Sequence, residues 1–135
     1  MIQEERVVSW QVQAIRGATT VSDNSAAAIR EAVTELMDAL EANNEIKPQH
    51  VVSLTFSVTR DLDALFPASV ARKRPGWDNV PLLDVQQMHV TGSLERCIRL
   101  LLHINCPEPN LSVHHPYLRQ AQRLRPDWDL ARPMS

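Results

Sequence analysis

Glycine is scarce in this chain of 135 residues, with three in all, at positions 17, 76 and 92. That leaves no glycine-rich loop to cradle phosphates, and no Gly-x-Ser-x-Gly elbow occurs, which argues against nucleotide hydrolysis and serine-hydrolase chemistry. Cysteine is scarcer still. Cys97 and Cys106 lie nine positions apart; in an extended segment rising ~3.3 Å per residue their Cα atoms would stand roughly 25–30 Å apart, beyond disulfide reach, so reduced thiols are expected. Together with His103, His114 and His115 they offer thiolate and imidazole ligands, but the spacing fits no usual pair of ligand pairs. No metal and no cofactor are expected. No apolar run approaches the ~20 residues of a membrane span, and Glu4 and Glu5 precede any apolar run, unlike a signal peptide. A cytoplasmic protein is the expectation. Charge of one sign is not in excess either: 14 Lys and Arg against 16 Asp and Glu leave a formal −2. Nothing in that balance attracts nucleic acid or an anionic membrane, so any binding of anions must be local.

The length suits one domain spanning 1–135, able to bury a core without staples. Residues 1–8 read as an N-terminal extension. From Ser9 to Ile15, Trp10, Val12 and Ala14 alternate with Gln11 and Gln13, the period-two pattern of a strand that buries the apolar set. The Arg16-Gly17-Ala18-Thr19-Thr20 segment then reads as a turn. Asp23, Asn24 and Ser25 offer N-caps to a helix in which Ile29, Val33, Leu36, Met37 and Leu40 recur at helical spacing, ending at Asn43-Asn44. Val51 to Thr59 reads as a second strand, with Val52, Leu54, Phe56 and Val58 on one face.

Phe66-Pro67-Ala68 sets proline in a first helical turn that stops by Arg74, before Pro75-Gly76, and carries Arg72. Val80 to Met88 reads as a third strand, at an edge or with broken pairing because of Pro81. Cys97 to Ile104 suits either a buried helix or a strand covered on both faces. Tyr117 to Arg125 is not settled by periodicity, and 126–135 reads as a mobile tail. The succession of strand, long helix and strand predicts a right-handed crossover and an α+β fold: a mixed β-sheet with one long helix and one short helix packed mainly on one face.

Several segments, in order, resemble one enzyme family. Ile15-Arg16-Gly17-Ala18-Thr19-Thr20, Thr59-Arg60-Asp61-Leu62, Phe66-Pro67-Ala68, Gly76-Trp77, Val80-Pro81-Leu82, Met88 to Gly92, Cys97-Ile98-Arg99, Tyr117-Leu118 and Leu124-Arg125-Pro126-Asp127 resemble the monofunctional chorismate mutases of the trimeric pseudo-α/β-barrel (AroH) class. The resemblance covers almost the whole chain and settles Cys97 to Ile104 as a strand. It implies a homotrimer with sites in clefts between subunits, and an isomerase that rearranges chorismate to prephenate by an intramolecular [3,3] shift, in the shikimate route to phenylalanine and tyrosine.

Such a reaction needs no nucleophile, metal or proton transfer; a protein can supply a compact substrate conformer and positive charge where the ether bond breaks. By matching motifs, the resemblance makes Arg99 the residue beside the ether oxygen. It makes Arg16 and Tyr117 the partners of the substrate carboxylates, Phe66, Ala68, Leu82 and Leu83 apolar walls, and Arg72 and Arg125 guides for the dianion. One departure falls at Gln87, where the family usually has a glutamate that bonds the ring hydroxyl. Asp84, where other members have a small uncharged residue, would supply the missing carboxylate if a bend or bulge brought it to the side of Gln87. Ser69 replaces a lysine of some members, and His114-His115-Pro116 replaces an Arg-His-Val type of sequence. The competing reading is a trimeric dicarboxylate-binding or regulatory module that kept the scaffold and lost catalysis through Gln87.

Overall fold

The long helix begins where Ser25 Oγ accepts the backbone N–H of Ala28 at 3.1 Å. That bond satisfies one of the four N–H groups an α-helix start leaves free. In this computed structural model, which describes residues 9–107 and 112–128, the helix α1 spans Ala26–Ala42. Asn43 caps its end, the side-chain amide donating to Ala39 O at 2.8 Å. Asn24, also a possible cap by sequence, reaches elsewhere: its Oδ1 accepts the N–H groups of Asp63 and Ala64 and holds a distant loop. Ile29, Ala32, Val33, Leu36, Met37 and Leu40 are buried along α1, each larger one contributing roughly 1.5–3 kcal/mol over an exposed position.

The remaining elements are β1 (Trp10–Thr20), β2 (Val51–Val58), the short helix α2 (Pro67–Ala71), β3 (Leu82–Gln86) and β4 (Cys97–Pro107). The strands form one sheet in the order β1-β4-β2-β3. β4 pairs antiparallel with both β1 and β2, whereas β2 and β3 are parallel. β1 and β2 therefore run the same way with β4 between them, joined by α1. A second crossover through α2 joins β2 to the edge strand β3, consistent with Pro81 just before it.

Four expectations are corrected. Arg16 to Thr20 do not turn; they continue β1 in unbroken register with Cys97 to Leu101. The face of β1 is also reversed: Ile15 is buried among the core, while Trp10 and Val12 are 48% and 59% exposed. Alternation identifies two faces but not which one is covered. Third, a register shift between Val51 and Ser53 leaves Val52 exposed, so that Val51, Leu54 and Phe56 face inward. The bulged residue simply drops out of the alternation. Fourth, β4 is covered along its length on one face only, with Ile98, Leu100, Leu102 and Ile104 in the core and Leu101 exposed.

The short helix ends at Ala71, with Arg72 as its cap rather than in its body. Arg119–Arg123 and Pro126–Trp128 form short 3₁₀ turns, the second at the start of the expected tail. The rest of that expectation, 129–135, and the extension 1–8 lie outside the described residues. Trp77, fully buried, donates its indole N–H to Glu41 at 3.0 Å, and Glu41 also accepts from Arg74, tying the loop after α2 to α1. Burial is tolerated for the indole because its donor is satisfied.

Candidate functional site

On the sheet face away from the helices, residues paired across the strands form two rows. One runs Arg16, Leu101, Thr55, Leu83; the next runs Ala18, Arg99, Ser57, Val85. Arg99 belongs to this face because Ile98 and Leu100, on either side of it, point into the core. Its guanidinium lies against the thiol of Cys97, whose ionisation is pushed up by burial and only partly offset by that positive charge. Cys106, at the other end of β4, is likewise buried and free. Among the described residues, no three His, Cys, Asp or Glu side chains come together to hold a metal ion.

Tyr117 reaches the site through the backbone. Pro116 O accepts the N–H of Ala18 and Leu118 donates to Ala18 O, both at 2.9 Å, so the Tyr117 segment extends the sheet beyond β1. Gly17 makes this possible, since a Cβ there would stand 2.9 Å from Pro116 O. Tyr117 is buried in a second small cluster with Ala18, Cys97 and Ala121. Two residues before it, His115 Nδ1 accepts the backbone N–H of Arg16 at 3.0 Å. Burial, then the charges of Arg125 and Arg16, push the imidazole below its ordinary value. Arg125 forms a bidentate ion pair with Asp127 at 3.1 and 2.7 Å, which holds the guanidinium firmly charged.

Phe66, Ala68, Arg72 and Asp84 lie elsewhere. Phe66 precedes α2 and is 72% exposed; Arg72 ends that helix and is exposed. With Asp84, Val85 and Gln86, Phe66 lines an open cleft of about 470 Å³. Leu82 and Leu83 do not form one wall: Leu82 packs partly against the core while Leu83 is 58% exposed on the other face. Neighbours on a strand point to opposite sides.

The bend needed to bring Asp84 beside Gln87 is absent. The β2·β3 register is unbroken from Leu82 to Gln86, and Gln87 N–H continues it onto Val58 O at 2.8 Å. Three steps along such a ladder reverse the face. Asp84 instead accepts the N–H of Ala68 at 3.0 Å, at the start of α2. Burial raises its carboxyl above the ordinary value, and that hydrogen bond offsets only part of the rise.

Among the described residues, two buried side-chain polar atoms have no hydrogen-bond partner: Gln87 Oε1 and Arg99 Nε. β2 lies between them, so their backbones stand about 10 Å or more apart. Unsatisfied buried polar atoms are rare because each costs about 1–3 kcal/mol. That both belong to residues singled out by motif is the most specific property of the site.

Arg119 belongs to none of the residues that the motifs single out. Its backbone is left-handed, with φ 53°. Its guanidinium donates to Thr20 O at 3.0 Å and pairs with Glu35 at 2.9 Å, pinning the chain after Tyr117 to β1 and α1. No local pattern could reveal it, because its partners lie 84 and 99 positions away.

Residues 12–128 match the family described as chorismate mutase type I. The chain is 37% identical over 121 residues to the chorismate mutase AroH of Bacillus subtilis, covering 90% of this chain and 95% of that protein. It is 44% identical to the AroH chorismate mutase of Thermus thermophilus, covering 89% and 98%. A solved chorismate mutase from Clostridium thermocellum superposes with a TM-score of 0.74 at 40% identity, covering 82% of this chain and 98% of that one.

Proposed function

We propose, from the premise that this chain belongs to the type I chorismate mutase family and is an isomerase converting chorismate to prephenate, that catalysis takes place between subunits of a homotrimer and depends on Arg99. The observation that carries this is the pair of unsatisfied buried atoms on Arg99 and Gln87. A guanidinium Nε without a protein acceptor is free to donate to the substrate's ether oxygen, and a carboxamide oxygen without a donor can accept the substrate's ring hydroxyl.

Charge on the ether oxygen develops only as its bond to carbon breaks. A preorganised cation there stabilises the transition state more than the ground state, which is what raises turnover. An acceleration of ~10⁶ corresponds to about 8 kcal/mol, of which one preorganised donor supplies roughly 3–4 kcal/mol. Arg16 and Tyr117 hold the carboxylates and fix the compact conformer, while Arg125 guides the dianion in. A non-catalytic binding module is not favoured, since it has little use for a cation at the breaking bond.

Within one chain, Arg16, Arg99 and Tyr117 lie on the outer face and edge of β1 and β4, while Phe66, Ala68 and Arg72 lie around α2 on the other side. The two groups complete one pocket if they come from different subunits. Trp10, Val12, Leu83 and Leu101 give the uncovered face the apolar character of a subunit contact. Asp84 acts from the α2 side, holding Ala68 in the wall. No helix among the described residues is long and apolar enough to cross a membrane, and we place the enzyme in the cytoplasm with its metabolite substrate.

The test is complementation. Trimers of Arg99→Ala chains and trimers of Phe66→Glu chains should each be nearly inactive, and mixed trimers should regain turnover of chorismate to prephenate. Mixed trimers no more active than the parents would place the whole site within one chain.

A further inference from the structure

The Thr59-Arg60-Asp61 motif takes no part in the chemistry above, yet its side chains converge on the residues that precede Arg99. Asp61 accepts the backbone N–H of Arg96 on both carboxylate oxygens, at 3.0 and 3.2 Å. Thr59 Oγ accepts the N–H of Cys97 at 3.0 Å and donates to Asp61, while Thr59 N–H donates to Cys97 O at 3.1 Å. Arg96 is held left-handed, φ 45°, a conformation L side chains adopt only when their surroundings over-determine it. Its other ties run to the residue that follows β1: Arg96 O accepts from Val21 N at 2.8 Å, and Arg96 Nε donates to Val21 O at 3.0 Å. The start of β4 is thus fixed from β2 on one side and β1 on the other, three residues before Arg99.

We infer that Asp61, through Thr59 and the Arg96-Cys97 backbone, is a positioning residue for Arg99. Beyond the ladders to β1 and β2, this clamp sets the first residue of β4. The Cys97 thiol, carried by that residue, lies against the Arg99 guanidinium. Hydrogen bonds to an ionised carboxylate are stronger than neutral ones, so Asp61 suits this task better than a hydroxyl or amide. The network even overcomes the effect of partial burial, leaving the Asp61 carboxyl below its ordinary value. Being exposed at the surface, Asp61 contributes little core packing, and its loss need not unfold the chain.

The inference rests on Arg99 being the catalytic residue, and a double-mutant cycle separates the two claims. Asp61→Ala should lower kcat about tenfold with KM changed less than about twofold, because a displacement well under 1 Å at a catalytic group already slows the chemical step. In an Arg99→Ala background the same substitution should change the residual rate less than about twofold. Thr59→Val should resemble Asp61→Ala, and Thr59→Ser, which keeps the hydroxyl, should restore turnover. If Asp61→Ala does not fold, Asp61→Asn and Thr59→Val carry the same cycle. An equal loss in both backgrounds, or a loss expressed in KM, overturns the positioning role. Full turnover by Arg99→Ala alone would instead overturn the assignment of Arg99.

Discussion

Arg99 and Tyr117 stand on opposite sides of Ala18 at one level of the sheet, Arg99 paired with it from β4 and Tyr117 bridged to its other edge. A cation and a phenol are thereby set about two strand spacings apart by the backbone pairing of β4 and of the Tyr117 segment with β1.

Gly17 is the weak point of that arrangement. Gly17→Ala places a methyl 2.9 Å from Pro116 O and 3.3 Å from the Leu100 side chain, and must push the Tyr117 segment outward. We expect kcat/KM to fall by roughly tenfold or more, since about 1 Å of misplacement can cost 10²-fold. Kinetics together with hydrogen exchange at Ala18 and Leu118 check this; wild-type rates would show the segment tolerates the shift.

His115 should make the site sensitive to acid. Its pKa is lowered by burial, then by Arg125 and Arg16, with His114 adding a further like charge, and the bond accepted from Arg16 N–H requires Nδ1 to stay unprotonated. The stability contributed by the neutral ring is therefore present above the unfolded value of about 6.5 and is lost as pH falls through the lowered native value. Wild type should lose more Tm than His115→Gln on acidification below pH 6.5. Parallel curves would remove the effect.

Asp84 should behave in the opposite sense for a carboxylate. Because its native pKa is raised, the charged form is a penalty that is absent below about pH 3.8, grows as pH rises through the native value, and stays constant above it. Asp84→Asn, whose oxygen can still accept the Ala68 N–H, should raise Tm at pH 7 and leave it unchanged near pH 3. A lower Tm at pH 7 would mean the ionised group stabilises α2. Activity should fall less for Asp84→Asn than for Gln87→Ala.

The apolar outer face should carry assembly. Val12→Lys combined with Leu101→Lys substitutes exposed side chains within one chain, so the fold should persist while the proposed trimer dissociates. Sedimentation velocity with circular dichroism reads both; a trimer that survives would put the contact elsewhere.

Much of the fold is legible in the residues, and what escapes does so for identifiable reasons. The helix α1 announces itself through Ser25 and five periodic apolar positions, and β2 through its alternation, because local spacing and local burial agree there. β1 misleads because Trp10, Val12 and Ala14 are apolar for a face left open within one chain, while Ile15 and Gly17 meet the core. A pattern of period two cannot tell the covered face of a sheet from the open one. Motif order singles out Arg16, Arg99 and Tyr117, but that Arg99 and Tyr117 flank Ala18 is not legible in it, since this depends on a contact between residues 18 and 117. The Asp84 proposal failed in its required bulge, because backbone pairing from Leu82 to Gln86 is regular, a property side-chain identity does not encode. Arg119 and the Asp61 clamp on Arg96 are long-range bonds with no local signature.

The most direct test of the account is the kinetics of Arg99→Ala beside the affinity of the same variant for prephenate. Transition-state stabilisation by Arg99 predicts a fall in kcat of at least 10²-fold, about 3 kcal/mol, with prephenate affinity changed by less than about tenfold. A kcat near wild type, or a loss expressed wholly as weaker binding, would contradict it.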